Sequence, residues 1–333
     1  MLESYLTWLM EELATAGSSL LDLRKRVSLW YLLSAVGFAF VVFYWRYGKH
    51  GWQRLLPYVS PKVWLSRSSR TDVGLWLCNR LLLALLIPKT LTHALWISGL
   101  YYYWQKQGLT PLGLGWSTTW VMVLFTFCYV TADDFSRFFT HWCLHKVPVL
   151  WAFHQVHHSA LVLTPFTVFR THPVEGVLFF MRSLCVQSVL VSVFLVLFPN
   201  QVSLWQIYGV LVTTFLFNVL GANLRHSMVV LSYGPRIEKW LISPAQHQIH
   251  HSTDVAHYDR NFGVLLAIWD RLFKTWLPGN DQQTLKFGTG RTIDRTGVIG
   301  HWWIPMMDCA DVIRQGVAKR CRNLKKRLTI REP

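Results

Sequence analysis

Residues 132–158 read ADDFSRFFTHWCLHKVPVLWAFHQVHH, and residues 243–251 read SPAQHQIHH. These two stretches hold three histidine clusters: His141 and His145 as HxxxH, His154, His157 and His158 as HxxHH, and His247, His250 and His251 as HxxHH again. On a helix, residues three and four apart share a face. HxxxH therefore aims two imidazoles the same way, and HxxHH aims its first histidine with each of the other two. Eight imidazoles around one small volume are more than a single ion uses, which suggests two ions, and imidazole suits iron, zinc and copper.

Working outward, Asp134, Phe138, His141 and His145 fall at helical spacing, so the apolar run before them continues as a helix through the first cluster. Asp134 then lies about two turns below His141, where a carboxylate can accept a hydrogen bond from a ligand imidazole and fix its orientation. Asp133 reads as a surface group. Eleven of the 14 histidines lie between 141 and 257. Among the others in that interval, His226 is the favoured candidate for a ninth ligand, with His172 the alternative; His172 otherwise reads as an outer group or a lid, and His257 as outer or structural. His50, His93 and His301 read as incidental.

Composition places these clusters in a membrane. Hydrophobic residues make up 52% of the 333-residue chain and charged residues 15%, with 18 tryptophans; typical soluble domains are about 25% charged. Five apolar segments approach the roughly 20 residues a spanning helix needs: Ser28–Tyr44, Leu81–Tyr103, Gly115–Ala132, Gly176–Phe198 and Ser203–Gly221. Arg80 and Pro88-Lys89 interrupt the region 74–103, which alternatively holds a re-entrant hairpin. The expected fold is all-α, a membrane bundle of about five spans with a cytosolic helical cap carrying the histidines. Three regions follow: N-terminal helices and a basic loop over 1–114, the catalytic domain over 115–277, and a basic tail over 278–333, soft from 313.

The net charge of +16 suits nucleic acid as well as membrane. No nucleic-acid motif is present, and the basic residues flank apolar runs, so an anionic lipid surface is the expected partner. Lys and Arg are concentrated in the loop after the first segment and in the C-terminal tail; placing both in the cytosol puts the histidine segments on the cytosolic side. The first apolar run begins near Ser28 without a small-residue cleavage site, so it reads as a retained anchor. The six cysteines show no CxxC pair and read as small buried hydrophobes.

HxxxH, HxxHH, an apolar hairpin and a second HxxHH together resemble the fatty acid hydroxylase and sterol desaturase superfamily, over roughly residues 120–277. The resemblance extends to Asp134, to Arg170-Thr-His172-Pro-Val-Glu175, to Asn223-Leu-Arg225, and to the trailer Asp259-Arg-Asn261-Phe-Gly263 with Trp269-Asp270-Arg271. Two positions depart from the family pattern: Gly221 stands where many relatives have a histidine, for which His226 is a replacement, and Lys274 replaces a glycine in the closing motif. The resemblance implies a membrane enzyme with two iron ions that activate O2 and remove hydrogen from a lipid C–H bond, giving hydroxylation or desaturation. It also implies supporting roles for Asp134, His172 and Asn223 around the ligands.

No GxGxxG and no His-Pro-Gly-Gly segment occurs, so electrons are expected from a separate reductase or small carrier. The expected location is a bacterial inner membrane, or the ER membrane if the chain is eukaryotic. Two other classes compete. A zinc hydrolase needs fewer ligands and usually a glutamate base, and no HExxH is present. A haem electron-transfer protein needs single histidines on facing helices, which paired HH dipeptides at the membrane edge do not provide.

Overall fold

The computed structural model describes residues 2–86, 91–207, 210–279 and 285–329. In chain order the helices are α1 (Leu2–Ser19), α2 (Leu29–Tyr47), α3 (Gly51–Leu55), α4 (Pro61–Trp64), α5 (Arg67–Leu86), α6 (His93–Lys106), α7 (Thr118–Lys146), α8 (Pro148–His158) and α9 (Pro173–Leu197). A hairpin of two-residue strands follows, β1 (Gln206–Ile207) and β2 (Val210–Leu211), then α10 (Val212–Val219), α11 (Pro244–His250), α12 (Ile268–Leu272) and α13 (Val298–Thr329). Helix is the natural outcome for the long apolar runs, because it satisfies every backbone N–H and C=O within one segment.

Two stretches, Leu29–Trp64 and Pro173–Leu197, are long and apolar enough to cross a membrane. Only 28% of the apolar window in the second is buried inside the protein. Its side chains therefore face outward, unlike those of a soluble core helix. α2 behaves the same way. Ala35, Ala39 and Phe43 pack against Leu224, Val229 and Leu231, while Trp30, Leu33 and Trp45 are exposed.

The other expected spans fare differently. The segment Leu81–Tyr103 is divided between α5 and α6, and Pro88-Lys89 lie outside the described residues. α7 contains Gly115–Ala132 from Thr118 onward and is 29 residues long, but it also carries Asp133, Asp134 and Arg137. Ser203–Gly221 is not one helix: its described residues form the short hairpin and the eight-residue α10. Eight residues rise about 12 Å, well short of a hydrocarbon core of about 30 Å. The expected soft tail also gives way to regular structure, since α13 runs unbroken from Val298 to Thr329 through Pro305.

Helix ends set the geometry of the site. α7 stops at Lys146 because Pro148 follows: a residue before proline is barred from helical dihedrals, and Val147 sits at φ −99°, ψ 113°. Pro148 then starts α8, where its missing N–H costs nothing. The chain turns back at this point, so α8 packs on α7 and also on α13. α9 opens at Pro173 with His172 as its N-cap, the imidazole accepting from the Val174 N–H at 3.1 Å. α11 opens on a reciprocal capping pair: Ser243 Oγ accepts from the Gln246 N–H at 3.2 Å and Gln246 Oε1 from the Ser243 N–H at 3.0 Å. α7 and α9 are bound together by Val121, Phe125, Phe194 and Phe198 at the end remote from the histidines. Nearer the histidines, Arg182 Nη1 lies 2.9 Å from Asp133 Oδ1.

Candidate metal centre

The last two turns of α7, all of α8, the residues after α10 and the whole of α11 converge. Nine histidines meet there in two groups. Ring nitrogens of His141, His145, His154, His158 and His250 form the first, and those of His157, His226, His247 and His251 the second. Within each group the nitrogens all lie within 4.8 Å of one another. The helical spacing thus brings all three clusters together, and each HxxHH contributes to both groups. His226 joins the second.

The way the imidazoles are held fits a cation. His141 Nδ1 is 2.8 Å from the Phe262 carbonyl, His250 Nδ1 is 2.8 Å from the Arg260 carbonyl and His157 Nδ1 is 3.3 Å from the Arg170 carbonyl. A proton on Nδ1 leaves Nε2 with a free lone pair. Nε2 of His141, His145, His158 and His250 is in each case buried without a hydrogen-bond partner. In the second group the Nε2 atoms face one another: His157 to His226 at 3.2 Å, His226 to His247 at 3.0 Å and His247 to His251 at 3.3 Å. Hydrogen bonds cannot satisfy that chain, since a neutral imidazole nitrogen offers one N–H or one lone pair and two of these nitrogens face two neighbours. A shared cation satisfies all four. The separations are also those between adjacent ligands bonded at about 2.0–2.1 Å to one ion.

Burial keeps these rings neutral. It pulls His141, His154 and His157 down to about 3, aided at His141 and His157 by the neighbouring His154. His145, His158, His226, His247, His250 and His251 are pushed well below the usual histidine value for the same reason. Neutral imidazole is the form that ligates metal.

Behind the rings stands a supporting layer. Glu175 Oε2 approaches His154 Nδ1 to 3.1 Å, with both side chains buried. The pair does not meet hydrogen-bond geometry, so Glu175 stands as a close polar neighbour of the ring. Sequence reading had placed Glu175 only within a motif; it stands three residues after His172, where it looks like an ordinary first-turn acid of α9. Its partner is 21 positions away on another helix.

Asp134 is buried, but its carboxylate meets backbone and indole donors rather than the imidazole expected for it. Its carboxylate accepts from the Leu265 N–H at 2.9 Å, the Leu266 N–H at 3.0 Å and Trp269 Nε1 at 2.9 Å. Asp134 thereby anchors the segment whose Phe262 carbonyl orients His141. Asp270 holds the same segment from the other side, accepting from the Phe262 and Gly263 N–H groups at 2.8 Å each. A Cβ on Gly263 would sit 2.7 Å from that carboxylate. Asn261, at φ 57°, ties the trailer to α11 through the Gln246 carbonyl, 3.1 Å from Nδ2.

His172 lies outside both groups; besides capping α9, its Nε2 is 3.1 Å from the Trp302 carbonyl. Asn223 is fully buried and donates to the Arg26 carbonyl at 3.0 Å, with no hydrogen bond to a histidine. His301, expected to be incidental, is completely buried and meets Arg170 Nη2 at 2.9 Å and Ser159 Oγ at 3.0 Å. The same guanidinium pairs with Asp72 at 2.8 Å. Arg170 thus ties α5, the end of α8 and α13 around the carbonyl that orients His157. A cavity of about 350 Å3 opens onto His145, His158, His250 and His251, with Asp259 and Arg291 in its lining.

The family model described as Fatty acid hydroxylase matches residues 125–275. This segment is thus similar to that family over a little under half of the chain. All nine histidines of the two groups lie inside the matched segment, as do Glu175 and Asp134. Alkylglycerol monooxygenase of Danio rerio is 28% identical over 196 residues, which is 59% of this chain and 39% of that protein. The human alkylglycerol monooxygenase is 26% identical over the same proportions. Delta(7)-sterol 5(6)-desaturase of Eremothecium gossypii is 32% identical over 145 residues, 43% of this chain and 35% of that protein. The chain thus aligns with well under half the length of these relatives. No solved structure matches it.

Proposed function

We propose that the chain is an integral membrane di-iron oxygenase that hydroxylates a C–H bond of a lipid, using O2 and electrons from a separate carrier. The observation that carries this reading is the pair of histidine groups, two sets of buried, neutral imidazoles with converging lone pairs. His141, His145, His154, His158 and His250 are assigned to one ion, and His157, His226, His247 and His251 to the other. Iron bound there supplies O2 activation and the oxidising power to break a C–H bond.

The chain's own residues have definable tasks. The carbonyls of Phe262, Arg260 and Arg170 fix ring orientation, and Glu175 is a positioning residue for His154. The cavity at His145 and His158 is where a substrate carbon can approach. Two apolar helices support a membrane location, and the concentration of Lys and Arg in the loop after α2 and in the C-terminal region favours a site on the cytosolic side. The regions 1–114, 115–277 and 278–333 are taken as membrane anchor, catalytic domain and basic C-terminal region.

The monooxygenases align over more of the chain than the desaturases do. That favours hydroxylation, with an alkyl-ether glycerolipid as the first substrate to try. Desaturation of a sterol or acyl lipid is the second reading, favoured by the higher identity over the shorter stretch. Membranes expressing the protein or its His157→Ala variant are supplied with alkylglycerol under 18O2, and lipids are compared by mass spectrometry. A lipid product carrying one labelled oxygen, absent with the variant, supports hydroxylation. Loss of two hydrogens without label selects desaturation. Turnover that proceeds without O2 overturns the oxygenase reading.

A further inference from the structure

We propose that the chain binds one anionic membrane phospholipid at a site separate from the histidines, its phosphate on Arg26 and an acyl chain along the adjoining groove. The groove has a volume of about 740 Å3 and runs between α7 and α10. Val123, Phe127 and Val130 of α7 and Leu216 and Phe217 of α10 line it, with Leu266 also in its lining. A smaller chamber of about 240 Å3 adjoins it and shares Val130, Thr213, Phe217 and Leu265. None of the nine clustered histidines lines either space.

The chamber changes the chemistry. Arg24, Arg26 and Arg137 line it, facing Asp133 and Asp134. Both carboxylates are already engaged. Asp133 pairs with Arg137 at 2.7 Å and with Arg182 at 2.9 Å. Asp134 receives the three hydrogen bonds from Leu265, Leu266 and Trp269. Arg24, at the exposed mouth, pairs with Asp22 at 3.0 Å. Arg26 alone of the three has no carboxylate partner among the described residues. One of its guanidinium nitrogens donates to the Ala222 carbonyl at 2.7 Å, and its Nε is buried with no hydrogen-bond partner.

A half-buried cation whose Nε is buried without a partner is costly to keep without a counter-charge, and an anion on the guanidinium removes that cost. The planar guanidinium fork matches phosphate oxygens. Burial, with Arg225 and Arg137 nearby, pulls Arg26 down to about 9, the direction expected where positive charges outnumber local negative ones. The backbone at Arg26 is fixed by Asn223, whose Nδ2 donates to the Arg26 carbonyl at 3.0 Å. The chamber lies level with Asp133 and Arg137, where α7 leaves its apolar run, and the groove extends from there along the apolar part of α7. That is the layout of a lipid with its head at the membrane interface and its chain below.

The test is native mass spectrometry of the purified full chain in detergent, titrated with phosphatidylglycerol and, separately, with phosphatidylcholine of the same acyl chains. One phosphatidylglycerol per chain is expected to bind at least tenfold more tightly than phosphatidylcholine. Arg26→Gln should abolish that preference, and Arg24→Gln should keep it. Leu216→Trp, which fills the groove, should remove the tight phosphatidylglycerol without changing metal content. Equal binding of the two lipids by the parent overturns the proposal. So does a preference that survives Arg26→Gln. If Arg26→Gln fails to fold, Leu216→Trp decides alone: a tight phosphatidylglycerol retained there overturns the site. None of these readouts depends on the reaction proposed above.

Discussion

Replacing Asp134 with asparagine should loosen the metal centre although Asp134 touches no histidine. The carboxylate holds three donors at 2.9, 3.0 and 2.9 Å. Asparagine keeps one acceptor oxygen and turns an amide NH2 towards the other donors. If the NH2 takes the Oδ1 position, the Leu265 N–H loses its acceptor; in the flipped arrangement the Leu266 N–H and the Trp269 indole lose theirs. Hydrogen bonds to a charged group are worth about 1.5–3 kcal/mol each, and those that survive become bonds to a neutral group. The expected loss is therefore about 2–4 kcal/mol of stability, concentrated in the segment that carries Phe262. Its carbonyl then holds His141 less firmly. Removing an outer partner of a ligand typically lowers metal affinity 10–100-fold. Because Asp134 acts one step further out, the lower end, about tenfold, is expected. Metal content by plasma mass spectrometry, chelator competition and a thermal melt, all on the purified variant, provide the readouts. An Asp134→Asn protein that melts with the parent and resists chelators equally well would refute the bracing role.

Other outcomes follow from the same geometry. His226→Ala should lower metal content far more than His172→Ala, because His226 faces two ring nitrogens of the second group whereas His172 caps α9; the reverse order in metal analysis would exchange their roles. Glu175→Ala, which removes the carboxyl group beside His154, should reduce metal retention about tenfold or more, and parental retention would show that His154 needs no orienting neighbour there. Acid should destabilise the metal-depleted protein. The rings of His141, His154 and His157 have folded values near 3, against an ordinary value of 6.5. As pH falls from about 6.5 towards 3, the unfolded chain takes up protons that the folded chain refuses, so stability drops by up to about 1.4 kcal/mol per pH unit for each ring. Melting temperatures measured from pH 7.5 to 5 should fall on the acid side, and a flat profile would mean that the rings are not held neutral.

Much of the centre could be read from spacing alone. HxxxH and HxxHH work through the helical period, and α7, α8 and α11 supply helices at those positions, so the convergence of the three clusters was legible. What lay hidden depends on partners distant in sequence. Asp134 reads as a neighbour of His141 along one helix, yet its partners are Leu265, Leu266 and Trp269, more than 130 positions on. Glu175 reads as a helix-start acid until α8 brings His154 beside it. His301 is an isolated histidine until Arg170 is seen to bridge it to Ser159 and Asp72. Composition misled at 203–221, where an apolar run of spanning length folds as a hairpin and a short helix; hydrophobicity without a clear period does not distinguish these outcomes. Beyond 313 the stretch read as soft lies in α13 as far as Thr329, and its Lys and Arg residues are good helix formers.

The continuity of α7 across the level of Asp133 has a mechanical consequence. Val123, which lines the apolar groove, and His141, which belongs to the first metal group, are 18 positions apart on one unbroken helix, a distance of about 27 Å. A tilt of about 5° at the apolar end, within the range that changes in bilayer thickness produce, would carry His141 sideways by about 2 Å if the helix moved as a lever. Metal sites tolerate ligand displacements of only about 0.2 Å. The Asp133–Arg182 contact to α9 lies between those two positions and has to resist such a tilt for the site to keep its geometry.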